Sequence, residues 1–415
     1  MKFKQLNIEK WQQFQNINIE FHDRLTILTG ANGSGKTTIL ANILSKHFGW
    51  TVQSLSTPKK DIKTGVISFF TRLFNGEDEN KSNVIGLLEY KNGQKANLQV
   101  PNQNSPQYQI QISNQQTIKC FFIPSHRSVF RYQAVNNIPF GKKNKNAAFQ
   151  EVSNATRDRY IGGNNQSTSF FMKNTLIGWA IQGYEIKNDE KEIMPRDEEQ
   201  VGYFEGFKTV LSKILPKTLG FEDFEIRERE IVFVCNGGKD EFVFEQASGG
   251  ISALIDIAWQ IYMYSTKENS EFTVIIDEVE NHLHPIMQRQ ILPDLLKAFP
   301  SASFIVSTHS PLVVGSVKDS NTYVFRYDEN NKIISQKLDL LNKAKTATEI
   351  LDEVLGVSFT MPIWAEESLN KIVSKYSNVE MTSQEFSNMR EELKQIGLEK
   401  LVPKAIYDLI DKKEE

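Results

Sequence analysis

From Phe3 to Leu28, apolar residues recur in short alternating runs, KFKQLNI, INIEF and RLTILTG, separated by polar breaks; this pattern predicts an N-terminal β-meander. The third run ends in the glycines of GANGSGKT. The following TTILANILSKHFG places Ile39, Leu40, Ile43 and Leu44 at helical spacing, and Gly49 stops it. Residues 50–118 predict a helix at VISFFTRLF, strands at NVIGLLEYKNG and KANLQV, and a turn-rich spacer, PNQNSPQYQ. KCFFIP then reads as a buried strand closed by Pro124. From about Ser125 to Gln200 the chain is rich in Asn, Gln, Gly and Lys, broken by FFMKNTLIGWAI at helical spacing, which marks an inserted lobe with mobile edges. A helix near 201–214 leads into the strand-like runs FEIRERE, EIVFVCN and EFVFEQ, with Asn236-Gly237-Gly238 as a hairpin turn. Next come the helix SGGISALIDIAWQIYMY, the buried strand FTVIIDE, the helix HPIMQRQILPDLLKAF, the buried strand ASFIVSTHS and the hairpin TYVFRYDENNKIISQKL. Strands alternating with helices predict an α/β fold, a mostly parallel sheet clothed by helices. The tail from about Thr346 reads as three or four helices with charged faces. The expected divisions are 1–124, the first half of the core; 125–222, the partly helical lobe; 223–345, the second half; and 346–415, the helical tail.

Charge removes one class of function and leaves another open. Lys and Arg number 48 against 51 Asp and Glu, a net charge of −3, so the global basic charge of a dedicated nucleic-acid binder is lacking, while a local basic groove is not excluded. No apolar stretch reaches the ~18 residues of a membrane span. The opening MKFKQLNIEKWQQF carries no apolar signal core, so a cytoplasmic, membrane-free protein is expected. Cys120 and Cys235 sit inside apolar runs and read as small buried hydrophobes in a reducing compartment.

The chemistry starts at Gly30-Ala31-Asn32-Gly33-Ser34-Gly35-Lys36-Thr37, which fits G-x-x-x-x-G-K-[ST] without a mismatch and lies between a strand and a helix. Glycines let the backbone turn successive N–H groups toward a phosphate, and the helix N-terminus favours the same anion. The pattern assigns Gly30, Asn32, Gly33, Ser34, Gly35, Lys36, Thr37 and Thr38 to nucleotide binding. Lys36 would reach the β- and γ-phosphates of ATP and the Thr37 hydroxyl would ligate Mg2+. TVIIDE then brings Asp277 and Glu278 to the end of a buried strand, where open α/β sheets bind ligands. Asp277 would hold the hydration shell of Mg2+ and Glu278 would orient or deprotonate the attacking water. Ser248-Gly249-Gly250 opens an apolar helix and offers a second anion cradle. One nucleotide does not need two cradles in one chain. In a dimer, Ser248, Gly249 and Gly250 of one subunit would close over the γ-phosphate held by the other. His309, after the strand ASFIVS, would reach the γ-phosphate or the water. Taken singly, these last three also have plain structural readings: an acid at a strand end, a capped helix start and a structural histidine.

In this order the elements resemble the ABC-type P-loop ATPase heads of the SMC and RecF-like group. Met1 to Leu28 match the N-terminal strands, Gly30 to Thr37 Walker A, Ala247 to Ile251 a degenerate signature, Thr273 to Glu278 Walker B, and His309 the switch histidine. DEVENHLHP (Asp277 to Pro285), STHSPLVV and FIPSHR (Phe122 to Arg127) are similar to segments of small bacterial ATPases that include the OLD-type, Septu and PARIS defence ATPases. The resemblance implies an ATP- and Mg2+-dependent head that dimerises or assembles further, acting in phage defence or DNA surveillance beside a separate effector. The chain departs from the group in three places. The signature reads QASGGI instead of LSGGQ; Gln133 is a Q-loop candidate by position alone; and Glu280, Asn281, His282, Leu283 and His284 replace the transporter D-loop. His282 and His284 have no third ligand at zinc spacing, which favours interface or helix-cap roles.

The residues between Thr37 and Ser248 hold no sustained heptads, which argues against long SMC arms, and no apolar spans of a permease. The tail after His309 has no D-x-D pair for a nuclease metal site, so further chemistry must come from a partner. His126-Arg127 to Arg131, interleaved with Phe130 and Tyr132, and the Gly141-Lys142-Lys143-Asn144-Lys145 loop would either contact DNA or be solvated. Three functions therefore remain: an ATPase sensor that regulates a nuclease-type effector encoded nearby, a RecF-like ATPase that binds DNA directly, and a non-hydrolysing dimer cemented by ATP, in which Glu278 is merely an acid.

Overall fold

The computed structural model describes residues 1–415 except 61–66, 69–83, 102–104, 138–140, 164–165, 189–190, 356–361, 378, 380 and 415. Two compact units emerge, Met1–Ala347 and Thr348–Glu415. The first is built on a sheet that, among the described residues, has 11 strands. They are β1 (Phe3–Trp11), β2 (Phe14–Glu20), β3 (Leu25–Gly30), β4 (Val84–Tyr90), β5 (Lys95–Gln99), β6 (Gln111–Ser113), β7 (Cys120–Ile123), β8 (Phe272–Ile276), β9 (Ala302–Ser307), β10 (Asn321–Tyr327) and β11 (Ile333–Lys337). Their order is β6-β5-β4-β1-β2-β11-β10-β3-β9-β8-β7. Strands β10, β3, β9, β8 and β7 run parallel, and the half from β6 to β2 is antiparallel.

All three N-terminal strands form, but only β1 and β2 pair with each other; β3 crosses to the middle of the parallel half, between β10 and β9. The burial pattern explains the move. β1 alternates buried and exposed positions, as a strand with one wet face must, whereas all six residues of β3 are buried and need cover on both sides. The two faces separate cleanly along β7 and β8. Phe121, Ile123, Val274 and Ile276 enter one hydrophobic core, and Cys120, Phe122 and Ile275 enter the other. Both cysteines are free and buried, and burial pushes the Cys120 thiol up to about 12.

The second core is sealed by the helical run after the glycine loop, made of Lys36–Thr38, a π-turn at Ile39–Ile43 and a 3-10 stretch at Leu44–Phe48, which puts Ile39, Leu40, Ile43 and Leu44 fully inside. Gly49, at φ 86°, ends it. Of the helix expected at VISFFTRLF, all but Ile67 and Ser68 lies outside the described residues, and those two pair as a short strand with Lys59–Lys60.

The first core is covered by α1 (Lys145–Tyr160), α2 (Thr168–Gly183), α3 (Glu198–Ile214), α4 (Gly249–Tyr264) and α5 (Pro285–Ala298). The segment expected as an inserted lobe shares this core with the sheet: Trp179 of α2 stacks on Trp259 of α4 at 6.0 Å, and Phe207 of α3 meets Trp259 edge-on at 5.0 Å. Lys173 of α2 lies fully buried between two carboxylates, 2.8 Å from Glu230 and 2.6 Å from Glu245, three residues before Ser248. Removing one partner of a buried ion cluster strands the opposite charge. Lys173→Met should therefore lower the unfolding free energy by about 3–5 kcal/mol, read as a lower urea midpoint at constant m-value.

In the second unit, α6 (Ile363–Ser377), α7 (Ser383–Gln395) and α8 (Val402–Glu414) close a small core of Leu369, Val373, Tyr376, Met389, Leu393, Ala405 and Leu409, as the charged amphipathic pattern of the tail predicts. Among the described residues no helix is long and apolar enough to cross a membrane.

Candidate functional site

The C-terminal ends of β3, β8 and β9 meet where the glycine loop turns into its helix. Gly30 adopts φ 135°, and a Cβ there would lie 2.4 Å from the Phe325 carbonyl oxygen. Gly35 adopts φ 83°, and a Cβ there would lie 2.2 Å from the Phe14 ring. Neither position admits a side chain, so these two glycines set the curl of the loop. Ala31, Asn32, Gly33 and Thr37 face solution, while Ser34 and Lys36 are buried beneath them.

The Lys36 ammonium donates to the carbonyls of Gly30 and Ala31, both at 3.0 Å, and reaches Ser34 Oγ at 3.4 Å. Burial lowers its pKa to about 8, and the charges of Asp277, Glu278 and Glu280 oppose that shift. Thr37 Oγ1 donates to the Asp277 carboxylate, 2.9 Å from Oδ2 and 3.1 Å from Oδ1, and Ser307 Oγ donates to Oδ1 at 2.5 Å. Burial still holds the Asp277 pKa above the usual range, with Glu278 adding to the rise and Ser307 and Thr37 working against it. A buried carboxylate, next to a hydroxyl and under pressure to shed its charge, is a hard oxygen donor set that fits Mg2+.

Glu278 adopts φ 44°, the left-handed region that a Glu rarely enters. Its amide donates to Ser307 Oγ at 2.7 Å, its carbonyl accepts from Asn281 N at 3.0 Å, and its Oε2 accepts from Asn281 Nδ2 at 2.8 Å. His309 Nε2 stands 3.9 Å from Glu278 Oε1, while the His309 amide donates to Glu280 Oε1 at 2.6 Å. Burial and the Lys36 charge lower the His309 pKa against the pull of Glu280 and Glu278, which favours the neutral ring. Lys36, Thr37, Asp277, Glu278 and His309 thus converge at one end of the parallel strands, the position where this sheet architecture places ligands.

Ser248, Gly249 and Gly250 stand apart. They open α4; Ser248 and Gly249 are exposed, and among the described residues no hydrogen bond joins the three to residues 30–38. A Cβ at Gly250 would lie 3.0 Å from the His282 carbonyl oxygen, so the start of α4 rests on the turn that follows Glu278. His282, at φ 67°, and His284 are exposed, and His284 Nδ1 caps α5 by accepting from Ile286 N. Among the described residues, no group of three His, Cys, Asp or Glu side chains is placed to hold a metal ion. Gln133 lines a cleft with Glu151, Asn154, Asp158 and Gln166, none of which belongs to the glycine loop or the strand ends.

The basic and aromatic segments considered for DNA are mostly engaged inside the chain. Phe130 is buried and stacks on Phe244 at 4.8 Å. Tyr132, though exposed, donates to Glu230. Lys142 pairs with Asp197, and Lys143 with Glu151. Lys145 sits 3.4 Å from the centroid of the Tyr262 ring. Arg127 is buried and donates from one NH2 group to the carbonyls of Asp277 at 3.0 Å and Glu278 at 3.2 Å. Reading the sequence as a possible nucleic-acid surface missed this role. The available signal was that FFIP and VII are both apolar runs, so residues just beyond them belong at the same end of a buried sheet.

A family described as "AAA domain, putative AbiEii toxin, Type IV TA system" matches residues 25–315, from β3 to just beyond His309. The chain belongs to this family of AAA-domain ATPases. Over 383 residues it is 22% identical to the Septu protein PtuA of Bacillus thuringiensis, covering 88% of this chain and 86% of that protein. It is 29% identical over 161 residues to the Septu protein PtuA of Bacillus mycoides (strain KBAB4), covering 36% of this chain and 22% of that one. Against the "Retron Vc95 probable ATPase" of Vibrio cholerae serotype O1 biovar El Tor, identity is 27% over 170 residues, 39% of this chain and 32% of the relative. The last two matches thus span only a fifth to a third of the relatives' length. The solved SMC head domain from Thermotoga maritima is 15% identical and covers 82% of this chain and 100% of that one, with a TM-score of 0.42.

Proposed function

We propose that this ABC- and SMC-type ATPase closes as a dimer around ATP, hydrolyses it, and thereby regulates a separate effector, of nuclease type, in defence against phage. The observation that carries the reading is the division of the pocket. Lys36, Thr37, Asp277, Glu278 and His309 come together within one chain, while the second anion cradle, Ser248 to Gly250, is turned to solution beside the His282 turn. A second copy supplies the missing half.

Within such a pocket, the N–H groups of the glycine loop and the Lys36 ammonium hold the β- and γ-phosphates. Thr37 and Asp277 would hold Mg2+, which would supply positive charge against the phosphates. Glu278 Oε1 accepts the proton of the attacking water, and the neutral His309 ring beside it hydrogen-bonds the water or the γ-phosphate. Ser248 and the first amides of α4 from the other subunit complete the cradle for the charge that develops on the γ-phosphate. The defence role and the separate effector are supported by the Septu and retron relatives. Direct DNA binding is the weaker reading, because the basic stretches that suggested it are mostly paired internally.

Light scattering tests the dimer. With Mg2+ and a non-hydrolysable ATP analogue the mass should be at least twice that without nucleotide, or the nucleotide-free assembly should change order. An unchanged mass at saturating analogue sinks the shared pocket.

A further inference from the structure

We infer that Arg127 is a positioning residue of the ATPase centre, holding the backbone that presents Glu278. The inference rests on the reading of the site given above and adds a part to it.

Arg127 follows β7, the strand beside β8, and is only 5% exposed. Its NH2 group spans the two successive carbonyls of Asp277 and Glu278, at 3.0 and 3.2 Å. Those carbonyls flank the point where the chain turns into the left-handed conformation of Glu278. Such a conformation is strained for a residue with a Cβ and persists only when its surroundings hold it. Ser307 and Asn281 hold it from the neighbouring strand end and the following turn; Arg127 holds it from the far side of the sheet edge.

The guanidinium's charge ties this contact to the rest of the chain. Burial disfavours the charge, and the largest compensation comes from Asp256, ahead of Asp277, Glu280 and Glu278. Asp256 is itself buried in the middle of α4, two turns beyond Gly249. Its Oδ2 accepts from Gln260 at 2.9 Å; burial raises its pKa, and Arg159 of α1 and Arg127 work against that rise. Arg159 in turn donates to the Ser128 hydroxyl, next to Arg127 in the chain. Asp256 thus supports the Arg127 charge, while the hold on Glu278 rests on the two carbonyl hydrogen bonds. Two of the three guanidinium nitrogens, Nε and NH1, have no hydrogen-bond partner among the described residues, so the group is held by charge and by the two carbonyls. A lysine ammonium lies on the axis of its side chain and does not coincide with the off-axis Nη2 that meets both carbonyls.

The test uses the full chain with Arg127→Met, Arg127→Lys, Asp256→Asn and the Arg127→Met/Asp256→Asn pair. Thermal melts establish folding, a fluorescent ATP analogue reports affinity, and phosphate release reports turnover. A misplaced general base costs on the order of a hundredfold in rate. Arg127→Met should lose about that much in kcat with analogue affinity kept within about threefold, Arg127→Lys should stay well below the unaltered protein, and Asp256→Asn should lose a smaller factor. The pair should be no worse than Arg127→Met alone, because both act through one contact. A folded Arg127→Met with kcat within about threefold of the unaltered protein, or losses that multiply in the pair, overturns the inference. If Arg127→Met does not fold, Arg127→Lys decides it by the same readouts, and an unchanged kcat overturns it. The underlying site reading fails separately, if Lys36→Ala still binds the analogue.

Discussion

Glu278→Gln is expected to abolish most ATP turnover while leaving ATP bound and the dimer closed. A general base contributes about 10²–10⁴-fold to a hydrolysis, so phosphate release should drop by that factor. The substitution is nearly isosteric. Its backbone keeps the Ser307 and Arg127 hydrogen bonds, and its amide oxygen can still accept from Asn281 Nδ2. Lys36, Thr37 and Asp277 are untouched, so the groups proposed to hold the triphosphate remain. What disappears is the proposed proton acceptor, 3.9 Å from His309. With ATP and Mg2+, light scattering should then show the assembly persisting for hours where the unaltered protein relaxes as its ATP is consumed. The same experiment separates hydrolysis from the view that ATP is only structural cement. Undiminished phosphate release by Glu278→Gln removes Glu278 as the base, and an absence of release from the unaltered protein leaves only the cement.

What was legible in the sequence was what is local. GANGSGKT, TVIIDE and STHS each lie within a single strand and the turn after it, so composition and spacing alone place Lys36, Asp277, Glu278 and His309 at strand ends. The α/β class and the helical tail followed from periodicity in the same way. Decisions made by distant partners were not legible. β3 leaves the N-terminal hairpin because both its faces are apolar, and it finds β9 and β10 some 275 to 300 residues away. The polar composition between 125 and 200 suggested a lobe with loose edges, yet Trp179 and Phe149 put that segment into the main core. Arg127 looked like surface charge because its counter-charge, Asp256, is more than a hundred residues away on a helix whose sequence reads as purely apolar packing. The unusual φ of Glu278 also leaves no trace in composition, because the bonds that hold it come from Ser307, Asn281 and Arg127.

Lys36→Ala should remove nucleotide binding and, with it, both turnover and the nucleotide-dependent assembly. Charge-assisted hydrogen bonds contribute about 1.5–3 kcal/mol each, so losing two to the β- and γ-phosphates weakens ATP binding on the order of 10²–10⁴-fold. Calorimetric titration with ATP and Mg2+ should show no saturable heat in a range where Glu278→Gln saturates. The fold should survive, since among the described residues Lys36 donates to the Gly30 and Ala31 carbonyls and to Ser34, and Ala31 already faces solution, where water can take the place of the ammonium. Removing a charge that burial already disfavours even offsets part of what those contacts contribute. A melting temperature close to that of the unaltered protein is therefore the required control. The two variants should fail at opposite ends of the cycle, Lys36→Ala remaining in its nucleotide-free assembly at any ATP concentration and Glu278→Gln held closed. An ATP affinity within about threefold of the unaltered protein in a folded Lys36→Ala means that the glycine loop cradles something other than the triphosphate.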